Sequence, residues 1–329
     1  MRGAMAAPIC CVAALVAACG MGGCSSKAKA KPPLIGVLMA GDFRQPVLDG
    51  LKDGMARLGY PAGRIEYRVL NAKVDTAALP RLAEELVAAH PAILCPLGGV
   101  EAVACAAAAK GRIPVVFMNV TSPIEHGLVQ SYAKPPPNVT GVRTGYDELA
   151  GKRLEILTLF FPRVKTVSVL HEPGSVESEE GLTVARQVAP ALGLQLKPVP
   201  LRNLKDVEEL ANTLKPEEHE ILFGLPATVI YAYRKDYIIP AGLRAKVPFF
   251  GFDPQSAAEG AVVAYGNDPY AFGTSGAELV KAVLDGKRPS ELPVRFVERI
   301  HLVINRKSMR ALGLAFPPEL EALATEAIE

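Results

Sequence analysis

The chain lacks the signatures that announce most enzymes. Among its 329 residues there is no G-x-S-x-G elbow and no Walker loop. The first strand-to-helix turn, Met39-Ala40-Gly41-Asp42-Phe43, lacks the glycine spacing that cradles a dinucleotide. His90, His126, His171, His219 and His301 are scattered, and none stands at a metal-ligand spacing from another. Each reads as solvated or locally hydrogen-bonded. The carboxylate runs Glu208-Glu209 and Glu217-Glu218 read as solvated helix faces or loops. With a formal net charge of +2, basic residues spread along the chain and no row of stacking aromatics, no nucleic-acid partner is expected. Nor is there a heptad pattern or an exact repeat. No catalytic residue, metal or cofactor is expected.

Cysteine is sparse where a core would form. Of six cysteines only Cys95 and Cys105 lie beyond residue 24, both in apolar surroundings. They read as buried thiols, and a disulfide between them stays open.

What is present begins at the amino terminus. Arg2 opens a small, apolar run over 4–18 that is too short to span a bilayer comfortably. Val16-Ala17-Ala18-Cys19 has the pattern of a bacterial lipobox, and Met21-Gly22-Gly23-Cys24 competes with it. Cys19 is preferred because the apolar run ends there. Residues 1–24 therefore read as a lipoprotein signal. Residues 25–33, with alternating lysines and no large apolar side chain, read as a flexible tether. The expected location is the cell envelope, with the chain lipid-anchored to a bacterial membrane and facing the periplasm or exterior.

From residue 34 apolar β-type runs alternate with helical periodicity. Strands are expected over 34–40, 65–70, 92–97 and 113–120, each followed by an amphipathic stretch. A second series runs through 166–170, 195–199, 220–225 and 247–250 and ends near 261–265. Four βα units in a row imply a parallel sheet with helices on both faces. The stretch 113–142 is central. Its buried strand ends in Asn119, Thr121 and Ser122, and open α/β sheets hold ligands at the carboxyl ends of their strands. Asn267-Asp268-Pro269 is a helix start, with an acidic cap and proline at the first helical position. The expected organisation is α/β: two doubly wound parallel-sheet lobes joined by a multi-strand hinge. The first lobe takes 34–143 plus 268–295 and the second takes 144–267. The segment 296–329 follows, with a third crossing near 292–298 left open.

Several phrases then carry a resemblance. They are Ile35-Gly36-Val37-Leu38, Gly50-Leu51-Lys52-Asp53-Gly54, Leu58-Gly59-Tyr60, Ile113-Pro114-Val115-Val116-Phe117 and Asn138-Val139-Thr140-Gly141. Leu302-Val303-Ile304-Asn305 and Ala311-Leu312-Gly313-Leu314 extend them to the carboxyl end. In collinear order the chain resembles the substrate-binding lipoproteins of ABC transporters, in the family that includes tryptophan- and other aromatic-amino-acid-binding lipoproteins. The resemblance implies a type I periplasmic-binding-protein fold whose lobes close over a small solute by hinge motion. It also implies a monomer that hands its solute to an ABC permease and its ATPase. A sensing module for a membrane kinase is the alternative.

Carried over position by position, the resemblance puts Asp42, Phe43, Gly98, Gly99, Asn119, Thr121 and Ser122 at the ligand from the first lobe. From the second it puts Glu172, Ser175, Pro226, Thr228, Asp253 and Asp268 there. Gly98 and Gly99 would free N–H groups for a carboxylate, and Asp253 or Asp268 would pair with an ammonium. Phe43, Tyr231, Phe252 and Tyr270 are aromatics that either stack on a flat ligand or pack the core. One departure stands out. Where the family commonly has a small hydroxyl residue, proline and alanine after the third strand, this chain has Gly99-Val100-Glu101. One usual contact to an amino-acid backbone is thereby lost.

Overall fold

The computed structural model describes residues 31–146 and 148–329. The expected signal, the lipidation sites Cys19 and Cys24, tether residues 25–30 and Asp147 lie outside the described residues. Pro32–Glu329 form one compact unit.

Two sheets organise that unit. The first has six strands: β1 (Leu34–Met39), β2 (Glu66–Asn71), β3 (Ile93–Pro96), β4 (Val115–Val120), β5 (Val139–Arg143) and β11 (Arg295–Phe296). Their spatial order is β11-β5-β4-β3-β1-β2, and every pairing is parallel. Successive residues point to opposite faces, so both faces must be apolar. Ile35, Val37 and Met39 pack on one side against α1 (Gln45–Arg57) and α10 (Pro269–Leu284). Leu38, Leu94 and Phe117 pack on the other against α2 (Leu79–Ala88) and α3 (Gly99–Ala109). The contact between α1 and α10 is unusually close. A Cβ at Gly50 or Gly273 would collide with the facing helix backbone, so only glycine permits it.

The second sheet has seven strands: β6 (Thr166–His171), β7 (Gln195–Pro200), β8 (Ile221–Gly224), β9 (Phe249–Gly251), β10 (Val263–Asn267), β12 (Ile300–Asn305) and β13 (Glu326–Ile328). The order is β13-β12-β10-β9-β8-β6-β7. Val167, Val169, Ile221 and Phe223 face α4 (Leu149–Phe160) and α5 (Val176–Val188). Leu170, Leu222 and Phe249 face α6 (Leu204–Thr213), α7 (Thr228–Tyr233) and α8 (Ile239–Ala245). The short α9 (Pro254–Ala258) and the late α11 (Arg306–Leu312) and α12 (Pro318–Glu321) complete the helices.

One local expectation is corrected. The sheet series does not end near 261–265: β12 turns back antiparallel on β10, and β13 then adds parallel to β12. The helix after β6 starts at Val176, where Ser175 holds the extended backbone of an N-cap. Cys95 and Cys105 are free and buried, and burial pushes both thiols well above their ordinary range.

The chain passes between the sheets three times: from β5 to α4, from β10 to α10 and from β11 to β12. Fully buried side chains strap these passes together. The Tyr146 hydroxyl donates to Asn267 O at 3.0 Å. The Asn267 amide donates to Val297 O at 2.5 Å and Arg299 O at 3.1 Å. Arg153 donates to Tyr265 O at 2.8 Å, Tyr146 O at 2.9 Å and Phe252 O at 3.3 Å. Every acceptor is a backbone carbonyl.

Candidate functional site

In each sheet the strand order reverses direction once. The reversal falls between β1 and β3 in the first and between β6 and β8 in the second. Helices diverge at such a point and leave a crevice at the strand ends. The two crevices face each other around a cavity of about 210 Å³. The turn after β1 supplies Arg44, and the start of α3 supplies Gly99 and Val100. The end of β4 supplies Asn119, followed by Thr121. The second lobe contributes Glu172, Ser175 and Glu177 after β6, then Pro226, Thr228 and Tyr231 after β8.

Asn119 reaches the cavity through a bulge. The register between β4 and β5 shifts between Phe117 and Val120, and Asn119 takes a φ of 58°, in the left-handed region. A bulge at a strand end re-aims a side chain, and asparagine tolerates that backbone better than a branched residue.

Of the residues expected at the ligand, Gly99, Asn119, Thr121, Glu172, Ser175, Pro226 and Thr228 line the cavity. The others stand elsewhere, each for a visible reason. Asp42 is on the surface, paired with Lys73 at 2.9 Å and accepting from Asn71 at 2.7 Å. Phe43 stacks on Tyr231 with ring centroids 5.4 Å apart, beside the cavity wall. Gly98 is the N-cap of α3 and lies under Arg44. Ser122 donates to the Glu180 carboxylate. Asp253 is fully buried, pairs with Arg234 at 3.1 Å and caps α9 through Ser256 N. Asp268 caps α10, accepting from Tyr270 N at 3.0 Å. An aspartate just ahead of a helix has backbone N–H groups to accept from before any ligand arrives. Among the aromatics Tyr231 lines the cavity, Phe252 is core, and the Tyr270 hydroxyl donates to Asp53.

Arg44, Val100, Glu177 and Thr76 were not anticipated. Arg44 is 6 % exposed, and its Nε donates to Glu101 Oε1 at 3.1 Å. Burial disfavours the charged guanidinium, but Glu101 outweighs that and keeps it charged. The guanidinium also lies 5.0 Å from the Phe43 ring and 5.1 Å from the Tyr231 ring. Its one sequence signal was position: it closes the same strand-to-helix turn as Asp42 and Phe43.

On the opposing wall burial raises the Glu172 carboxyl above its ordinary range, and the bond from Val229 N at 3.2 Å only partly offsets this. Glu177 meets His126 of the first lobe at 2.8 Å. Burial opposes charge on both members of that pair. Their mutual attraction prevails, holding His126 above its ordinary value and Glu177 below. With Ser122 against Glu180 and Phe43 against Tyr231, the two lobes touch directly around the cavity.

Residues 34–328 match the family model of the ABC transporter substrate binding protein. The chain belongs to this family. It is a solute-binding receptor that closes two lobes over a small molecule outside the cytoplasm and delivers it to an ABC permease. A relative from Clostridioides difficile, named tyrosine-binding protein, is 25 % identical over 275 residues, covering 82 % of this chain and 78 % of the relative. A conserved domain protein from Vibrio cholerae superposes with a TM-score of 0.83 at 26 % identity, covering 90 % of this chain and all of its own. An ABC domain from Streptococcus pneumoniae in complex with L-Trp gives the same TM-score and coverage at 22 % identity, a likeness of fold.

Proposed function

We propose that the solute of this substrate-binding protein is a zwitterion of amino-acid size, with aromatic amino acids as the first candidates. One observation carries the reading: the cavity sets a buried guanidinium, Arg44, in one wall against the carboxylates of Glu172 and Glu177 in the other. Neutral sugars need hydroxyl partners but no such opposition of charge. A volume of about 210 Å³ lies below the range of roughly 300–1,000 Å³ typical of drug-sized ligands. Tyr231, stacked on Phe43, adds an aromatic ring to the cavity wall, a suitable neighbour for a flat side chain. The names of the tyrosine-binding relative and of the L-Trp complex point the same way.

The remaining expectations join this reading. Residues 34–143 and 268–295 form the first lobe and 144–267 the second, and the mature receptor is a monomer. A lipid on Cys19, or alternatively Cys24, tethers it to the membrane. The contacts to the solute come from Gly99, Asn119, Thr121, Glu172, Ser175 and Thr228, together with Arg44 and Tyr231.

The test is a thermal-shift screen of the mature protein against amino acids, sugars and nucleosides. A solute at a hundred times its dissociation constant stabilises the folded state by about 2.7 kcal/mol. At about 2–4 °C per kcal/mol the melting temperature should then rise by roughly 5–10 °C. A rise with sugars alone would overturn the zwitterion reading. Mass spectrometry of acyl-peptides from the membrane fraction decides between Cys19 and Cys24.

A further inference from the structure

We propose that Arg44 is the specificity-determining residue of this receptor, with Glu101 as its positioning residue, and that together they make a carboxylate on the solute obligatory. The inference rests on the zwitterion reading and assigns its anionic half.

Three features meet at the start of α3. Glu101 stands where the family commonly has alanine, yet it is fully buried and accepts from Ala40 N at 2.9 Å and Arg44 Nε at 3.1 Å. A carboxylate is not taken out of water for packing alone, since its desolvation costs several kcal/mol unless it is paired. It holds the guanidinium by one edge. Arg44 lines the cavity, and among the described residues no hydrogen bond leaves its Nη1 or Nη2. Gly98 makes the room, because a Cβ there would collide with Arg44 Nη2 and Glu101 Oε2. The start of α3 has no side-chain cap, so its first N–H groups also point to the cleft without a protein acceptor. A planar anion entering beside Gly99 meets both the Nη edge of Arg44 and the head of an eleven-residue helix.

The departure at Gly99-Val100-Glu101 acquires a cause. At Gly99 a Cβ would collide with His126 Nε2 and Glu177 Oε1, so the usual hydroxyl residue cannot coexist with that contact between the lobes. The lost hydroxyl is replaced by a cation in the neighbouring turn. Among the lining residues that the second lobe contributes, Glu172 and Glu177 included, none is a cation.

Calorimetric titration with L-tyrosine and L-tryptophan, each against its decarboxylated amine, tyramine and tryptamine, tests this. The wild-type protein should prefer acid over amine by roughly 10- to 100-fold, the range for hydrogen bonds to charged groups. Arg44→Gln alone strands a buried carboxylate, so the double variant Arg44→Gln/Glu101→Gln is the informative one. It should bring acid and amine within about threefold of each other, a ratio that loss of stability alone would not move. Asp42→Asn, outside the cavity, should leave the ratio unchanged. Equal binding of tyramine and L-tyrosine by the wild type, or an unchanged ratio in the double variant, overturns the role of Arg44 and leaves the solute reading standing. A wild-type protein that binds none of the twenty amino acids overturns the solute reading itself, and this inference with it.

Discussion

The two places where the lobes meet are built from different chemistry. At the hinge Tyr146, Asn267 and Arg153 donate to backbone carbonyls of the crossing segments, in full burial. At the mouth the contacts are side chain to side chain: His126 with Glu177, Ser122 with Glu180, and Phe43 stacked on Tyr231. Backbone acceptors are present in every conformation that keeps the fold, so the hinge straps survive opening. Side-chain pairs exist only while both partners face each other, so the mouth can separate without exposing an unsatisfied peptide group. The hinge belongs to folding, the mouth to the equilibrium between open and closed.

The largest break should come at Arg153. Arg153→Met leaves the carbonyls of Tyr146, Tyr265 and Phe252 buried without this donor, at about 1–3 kcal/mol for each such group. A fall in melting temperature of about 10 °C is expected by calorimetry. A fall no larger than that of a mouth variant would erase the distinction.

Asn267→Ala removes two bonds that tie the second crossing to the third. About 2 kcal/mol and a drop of roughly 5 °C are expected, with faster amide exchange in β11 and β12.

The mouth should behave in the opposite way. His126→Gln should lower the melting temperature by only about 2–4 °C, since glutamine keeps a donor for Glu177 and the net loss is on the order of 1 kcal/mol. The same energy should move the ligand-free ratio of closed to open molecules about fivefold, visible as a larger radius of gyration in small-angle scattering. A cooperative loss of fold instead would place His126 with the hinge.

The smallest effect is a pH dependence confined to the mouth. Besides Glu177, the carboxylates of Glu180 and Glu101 act on His126, and its value in the closed state lies above 6.5. Closure therefore takes up a proton, and this contribution is complete below that value and fades as pH rises through the raised one. Glu177 titrates below its ordinary 4.5, so its contribution holds above that value and fades as pH falls through the depressed one. Ligand-free closure should be strongest between these limits, and His126→Gln should flatten the alkaline side. The hinge donors should show no matching pH dependence.

Much of the scaffold was legible because apolar periodicity is a local property. β1, β3 and β4 read as strands, the last of them buried, and Asn267-Asp268-Pro269 read as a helix start, where Asp268 indeed caps α10. The antiparallel return of β12 was not legible, since strand direction depends on where a connection leads and not on the residues in it. At the cavity, sequence position identified turns better than side chains. Asp42, Phe43 and Arg44 share one short turn, yet only the last points inward, because the turn rotates each residue about 120° from the one before. Asp253 shows a second limit: aspartate before a helix serves as cap or as ligand with the same local pattern, and buried Arg234 decides between them from a distant helix.

The close packing of α10 on α1 also bears on how the molecule is made. The first sheet is assembled from two stretches separated by the five strands β6 to β10 of the second, and the core of its α1 face needs Phe272, Leu279 and Val280. A nascent chain that has reached Val263 still has an uncovered apolar face on α1, and the second sheet awaits β12. Neither half can finish early. The polypeptide stays without a completed core until nearly all of it has been synthesised, so a truncation ahead of Pro269 should yield no folded half at all.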